Sequence, residues 1–275
     1  TWVLACTKGR EKVNDRKNLT VNLFNLSEAL LFAGKLDEAR DISQRALQIS
    51  KELKDVFKEG NSLFRLGLAL SIQGQKNEGK TILEQSIKLW KTSNHIQPEG
   101  VANAYFAQHY LWHLQPNQAL IHANIAWELA HENRNERDFI RAACRQGQAA
   151  LGLGQYDKAA ERLHHALERA RKINDVQEEL PALIALAELA RQQGHLPEAR
   201  ELLEGVWDAA ERGPFPFFHA DALCVLCEIE RAEGNKEAAK VAAEEAYRLA
   251  LAQGEPYVYR YGLDKAKQLL ASLSS

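Results

Sequence analysis

The sequence predicts an all-α solenoid, a stack of antiparallel helix hairpins closed by a C-terminal capping helix. Two observations predict it. Gly34, Gly74, Gly154, Gly194 and Gly234 lie on one grid with a spacing of 40 residues, and Leu114 fills the vacant slot. Small residues recur at fixed offsets from that grid. Five after each slot come Ala39, Gly79, Ala119, Ala159, Ala199 and Ala239; seven before are Ser27, Gly67, Ala107, Gly147, Ala187 and Cys227. Twelve after are Ala46, Ser86, Ala126, Ala166, Val206 and Ala246. A fixed period of this size marks a stacked array, in which each unit contacts only its neighbours.

Each element follows from the pattern around its glycine. Upstream of Gly74, Leu63, Leu66 and Leu70 fall at helical spacing; downstream, Ile82, Leu83, Ile87 and Trp90 do the same. The glycine between them suits a helix C-terminus, where the chain needs positive φ. The small residues mark where two helices approach closely. First helices of the hairpins are predicted near 18–33, 57–73, 98–113, 137–153, 177–193 and 217–233. Second helices are predicted near 36–52, 76–92, 116–132, 156–172, 196–211 and 236–252. Pro98, Pro181 and Pro197 are expected in first turns, where a missing N–H costs little. A last helix over about 256–272 follows Pro256, with Lys265, Lys267 and Gln268 on the wet face opposite Leu263, Leu269 and Leu270. The division is thus a remnant of a preceding repeat over 1–15, six repeats over 16–254, and a cap over 255–275.

Composition narrows the function. The chain has 275 residues, 45% of them apolar and 26% charged, and a formal net charge of −2. That balance gives no global field to attract nucleic acid or a membrane surface. Cys6, Cys144, Cys224 and Cys227 show no secreted disulfide spacing, which points to a reducing, cytoplasmic setting. No apolar run reaches membrane-spanning length, and no signal peptide is visible. The chain has no Met and starts at Thr1, and the grid places Cys6 in the small slot of an earlier repeat. A piece of a larger protein is therefore expected.

The pattern resembles tetratricopeptide repeats. It is carried by Leu26, Leu66, Leu186 and Leu226 eight residues before the glycines, by the glycines, and by the alanines of the second helices. The resemblance implies a right-handed superhelix whose concave wall, built from the first helices, holds the ligand. The usual unit has about 34 residues and ends in a proline; this one is longer and lacks that proline. Longer units resemble those of kinesin light chains and of the sensor arrays of bacterial STAND-type signalling ATPases, such as the maltose-regulator family. The closing stretch from Gly254-Glu255-Pro256-Tyr257 through Tyr261-Gly262 to Ala266 is similar to the end of such arrays. That likeness implies a sensor or scaffold arm, with the other domains of the parent chain as partners.

Several motifs could carry chemistry, and each has a plainer explanation. Gly74 to Thr81 matches the phosphate-binding pattern G-x-x-x-x-G-K-T, but such a loop must follow a strand, and Phe64 to Ile72 reads as a helix. The grid itself supplies both glycines. Cys224 and Cys227 form a C-x-x-C with no second pair to complete a zinc site, so packing is expected. His109 and His113 share a helix face but lack a third ligand; His164 and His165 diverge. No catalytic residue, metal or cofactor is expected, and the chain is not expected to be an enzyme. Phe215, Phe217 and Phe218 fill a joint between units or, if exposed, form a contact patch.

On the concave wall implied by the resemblance, the grid places Asn61 and Arg65 in one unit and Asn103, Tyr105 and Gln108 in the next. Arg141, Arg145 and Gln148 follow, then Glu188 and Arg191. Arg forks bind carboxylates, while Asn and Gln bond backbone amides. The expected function is non-catalytic recognition of a protein or peptide segment, acidic in character, with no nucleic acid and no membrane. The carboxylate clamp of chaperone-binding members is not reproduced. The alternative is a small-molecule sensor, favoured by a deep pocket lined by Tyr105, Tyr110 and Trp112, whereas a long open groove favours peptide. In either case these arginines can instead be paired with acids on neighbouring helices, an arrangement worth little when exposed.

Overall fold

The computed structural model describes residues 9–10, 15–210, 213 and 215–273; Cys6, Pro214 and most of the expected 1–15 remnant lie outside them. The described residues form helices and turns without strands. In order these are α1 Arg16–Phe32, α2 Leu36–Glu52, α3 Val56–Ile72, α4 Lys76–Thr92, α5 Ile96–Trp112, α6 Pro116–Asn133 and α7 Glu136–Gly152. They continue with α8 Tyr156–Lys172, α9 Val176–Gln192, α10 Leu196–Ala210, α11 Pro216–Ala232, α12 Lys236–Leu251 and α13 Arg260–Leu273. Consecutive helices pack as antiparallel hairpins, and odd-numbered helices also touch the next odd-numbered one, as in α5 with α7. This is the all-α solenoid expected.

From Arg16 to Lys236 a helix begins every 20 residues. The 40-residue sequence period thus holds two equal halves. Ten of the turns each place one residue in the left-handed region. Gly34, Gly74, Gly154, Gly194 and Gly234 do so within hairpins; Lys54, Asn94, Arg134 and Asn174 do so between them. Leu114, in the slot without glycine, adopts φ 54° all the same. Nine of these ten turns share one bonding scheme; after α6 the Asn135 N–H donates instead to the Asn133 side chain. After α3, the N–H of Gly74 donates to the carbonyl of Ser71 at 3.1 Å, and that of Gln75 to Leu70 at 2.9 Å. After α5 the same six-residue closure runs from Gln115 to Tyr110. A left-handed residue with this closure satisfies the carbonyls that a helix end leaves open.

Every residue of the three small sets is buried. A Cβ at Gly67 would stand 2.9 Å from Leu83 Cγ, and one at Gly147 2.6 Å from Leu163 Cγ. These contacts set the hairpin spacing. Pro181 departs from expectation. It is the sixth residue of α9, beyond the first turn, so it interrupts the helix ladder where Gln177 would accept.

The two ends of the array meet. The side chain of Gln253 accepts from the Asp37 N–H and donates to the Asp37 carboxylate. Arg40 donates to the Tyr257 hydroxyl at 2.7 Å. Pro216 and Phe217 lie against Gly34, and the Arg260 side chain packs over Gly74. Buried Leu31 and Phe64 of the first repeats share one apolar cluster with Val258, Tyr259 and Leu263. Residues 253–259 make this clasp, so the capping helix starts at Arg260 rather than 256. Phe215 and Phe218 pack against the apolar cluster that runs through the later repeats, the joint expected, and with Phe217 they also line the space across the array, Phe215 edge-on to Phe32 at 6.2 Å.

The turn geometry sets a paired expectation. Leu114 is 78% exposed, and an added Cβ at Gly154 meets nothing within 4 Å, so packing is silent at both positions. Leu114→Gly stabilises by about 0.5–1 kcal/mol and Gly154→Leu destabilises by about 1 kcal/mol, from backbone conformation alone. Urea unfolding midpoints measure both.

Candidate functional site

The array curves round a partly open lumen walled by odd-numbered helices. One end is apolar, a cavity of about 110 Å³ lined by Phe32, Phe64, Tyr105, Trp112, Phe217 and Tyr259 among others. It runs past Gln108, Gln148 and Asp221 into a chamber of about 380 Å³ that includes Ile184, Glu188, Tyr261 and Lys265. A third space of about 360 Å³ continues past Trp112 and Leu114 to a mouth at Gly74, His113 and Arg260. The indole N–H of Trp112 donates to the Tyr259 hydroxyl at 3.1 Å, which donates to the Asp221 carboxylate at 2.9 Å. This chain of bonds holds the aromatic wall to the acid.

The lumen gathers six of the residues placed on the wall by sequence. Arg65, Tyr105, Gln108, Arg145 and Gln148 line the apolar end, and Glu188 lines the chamber. Four lie elsewhere. Asn61 is half-buried and donates to its own helix at Phe57. Asn103 is buried between α5 and α6, where it meets the His122 ring at 2.9 Å. Arg141 is spent on acids, and Arg191 forks onto Glu188 at 2.7 and 2.8 Å. Tyr110 also faces away, stacked on His122 inside the hairpin. Tyr105 and Trp112 therefore line the pocket without it.

The arginines in the luminal wall, and Arg141 behind it, carry little free charge. Arg65 bonds Glu28 at 2.8 Å. Arg141, only 6% exposed, donates to Glu178 at 2.6 Å and lies over the Tyr105 ring. Arg145 donates to Gln148 at 2.7 Å and stands 3.8 Å from the same Glu178 carboxylate. Two guanidiniums thus share one buried acid, with Asp138 at the edge of the group. A docked acidic peptide would have to compete with these partners.

Sequence reasoning missed Asp221 and placed Lys265 on the wet face. The signal was present. Lys265 occupies the same grid position as Arg65, Tyr105 and Arg145, and extending the grid through the cap turns it inward. Lys267 and Gln268 are exposed as expected, while Lys265 is half-buried. Burial pushes the Asp221 carboxyl up to about 7, with Lys265 and the Tyr259 hydroxyl offsetting it in part. Burial works against the Lys265 ammonium, but Tyr261, Glu188, Cys224 and Asp221 raise it above the usual lysine value.

The other motifs are structural in this geometry. Gly74 is a helix-ending turn after α3, and Gly79 sits within α4 with its N–H on Gln75. The backbone of the G-x-x-x-x-G-K-T segment is thus occupied by helix bonds, and Thr81 bonds Asn77. Cys224 and Cys227 are fully buried, and burial pushes their thiols up to about 12 and about 11. His109 meets His113 edge-on at 4.6 Å and bonds Ser71, and burial holds it down to about 3. Among the described residues no group of three or more His, Cys, Asp or Glu is arranged to hold a metal ion. No helix of the described residues is long and apolar enough to cross a membrane.

Paired helices, small-residue seams and a concave interior define a helical-repeat protein. The chain belongs to the tetratricopeptide repeat family: residues 19–92 and 138–212, more than half of it, match that family. No match is found among curated proteins. The solved structure of a Rap protein complexed with Competence and Sporulation Factor aligns with a TM-score of 0.67 at 15% identity, over 92% of this chain and 76% of that one. NprR in complex with its cognate peptide NprX gives 0.66 at 14% identity, over 90% and 71%. Aspartyl phosphate phosphatase F from Bacillus subtilis gives 0.59 at 14%, over 96% and 72%. At such identities the likeness is one of fold.

Two expectations follow from the buried charges. Glu178→Gln leaves Arg141 and Arg145 buried without their anion and destabilises by about 3–5 kcal/mol in chemical unfolding. Asp221 ionises near 3.9 when unfolded but near 7 when folded, so its contribution to stability declines as pH rises from about 4 to about 7 and stays lost above that. Asp221→Asn removes this decline. The stability difference between variant and wild type therefore grows by ~2–4 kcal/mol over that window and is flat beyond pH 8. Unfolding curves collected from pH 4 to 9 measure it. His109 and His122, held down to about 3 and about 4 by burial, act oppositely in both proteins and cancel from the difference.

Proposed function

We propose that the chain is a non-catalytic recognition module that takes a short peptide segment into its lumen. The carrying observation is the concave chamber of about 380 Å³, lined by Gln108, Gln148 and Gln192 beside apolar Ile184 and Trp112. Side-chain amides bond peptide groups without demanding a charge, and a concave, largely apolar space with a few polar groups is the usual form of a ligand site. Two proteins of similar fold are complexed with a competence and sporulation factor and with a cognate peptide. The residues offered for contact are Arg65, Tyr105, Gln108, Arg145, Gln148 and Glu188. We place the module in a cytoplasmic signalling protein, as its sensor or scaffold arm; the Gly254–Ala266 stretch supports a STAND-type parent. Ligand binding would shift a neighbouring module through tighter binding to one of its states.

The closure of the array favours a second reading, a small-molecule sensor. With the array's ends joined at Asp37 and Gln253, the space is a compact chamber, open in part, in place of a long groove. A thermal-shift screen of short peptides and metabolites separates the two. A true ligand at a hundred times its Kd stabilises by about 2.7 kcal/mol. Ile184→Trp fills the lumen, and in a variant that keeps its helical circular dichroism the shift disappears. Absence of any hit, or a shift that survives Ile184→Trp, would overturn the luminal site.

A further inference from the structure

Lys265 stands apart from the other charges of the lumen. Arg65 has Glu28, Arg145 has Gln148 and Glu178, Glu188 has Arg191, and Asp221 accepts from Tyr259. Lys265 lines both the chamber and the mouth, half-buried, and makes no hydrogen bond or ion pair among the described residues. Glu188 and Asp221 support the ammonium through space, but their direct bonds go to Arg191 and to the Tyr259 hydroxyl, so the Lys265 donors are left for a further acceptor. An ammonium that lines the chamber without a direct bond is free to donate to an acceptor brought by a ligand, most strongly to an anionic one.

The surroundings define the rest of the ligand. Trp112 lines every part of the lumen, and Tyr259, Phe217 and Phe64 continue its wall into the apolar end. The wall is fixed, because Trp112 and Tyr259 are bonded to each other and Tyr259 to Asp221. An ammonium beside an immobile aromatic surface suits a planar apolar body that ends in a carboxylate. A phosphate would be a poorer fit, since a dianion meets only one unpaired cation with Glu188 and Asp221 beside it.

We infer that Lys265 anchors the carboxylate of an aromatic-bearing ligand in the lumen, with the ring laid on the Trp112–Tyr259 wall. This rests on the luminal reading of the function and names its ligand chemistry. The carboxylate can belong to a free arylalkanoic acid or to the C-terminus of a short peptide ending in an aromatic residue. The anchor lies on the capping helix, so the ligand sits where the two ends of the array meet.

The test is calorimetric titration of the whole chain with 3-phenylpropanoate, 3-phenylpropanamide, phenethylamine, and Gly-Gly-Phe with a free or an amidated C-terminus. The expected result is that an acid binds about tenfold or more tighter than its amide. Lys265→Met removes the preference, and Lys265→Arg keeps it. Preference for 3-phenylpropanoate alone identifies a free acid, and for Gly-Gly-Phe a peptide terminus. Equal binding of acid and amide, tighter binding of the amine, or a preference that survives Lys265→Met overturns the proposal. So does failure of every probe to bind. That last result leaves the luminal site to be judged separately, by whether any hit of the wider screen is lost in Ile184→Trp.

Discussion

A left-handed residue recurring on a 20-residue spacing at ten turns governs this molecule. It ends the preceding helix, satisfies its last carbonyls and reverses the chain in three residues. Ten turns use it, so the helices they join meet at one register, and the small residues at Ala39, Ala119 or Ala199 arrive at the crossing points. The spacing is strict enough that Leu114, Lys54 and Arg134 accept an unfavourable conformation to keep it. Curvature is the sum of identical steps. The lumen and the meeting of the two ends both follow from that repetition.

Charge is placed on this frame by neighbour relations. The partner of an inward-facing side chain tends to lie on the adjoining first helix, as with Arg65 and Glu28, Arg141 and Glu178, or Tyr259 and Asp221. Such pairs fasten one repeat to the next from the inside. They also use up most of the charge that would otherwise be offered to a ligand. The wall is therefore closer to neutral than its arginines suggest, and the amides and aromatic rings become its accessible chemistry.

The fold was legible because its determinants are local. Helical spacing, turn glycines and close-contact residues all act within about 40 positions, and a single chain shows six copies of them. The turns between hairpins were less visible, since Lys54, Asn94 and Asn174 take the glycine's conformation without its identity. The site was legible only in part. A grid gives the face on which Arg65, Tyr105 and Gln148 lie, but not whether Arg141 is satisfied by Glu178 or free. Asn103 and Tyr110 show a second limit, since a one-residue difference around a helix separates the lumen from the hairpin seam. The clasp was invisible. Asp37 and Gln253 are 216 residues apart, and no periodic signal joins them.

The clasp changes what kind of object the array is. An open solenoid behaves as a coil spring, free to stretch or tighten its pitch a little at every turn. Tying its ends through Gln253, Tyr257 and Arg260 makes a fixed hoop, in which any change of pitch must be shared by all repeats or must undo the tie. Arg40 and Gly74, both far in sequence from the cap, become parts of its seat. A force applied anywhere on the hoop is then felt at that junction, and the mouth of the lumen opens beside it.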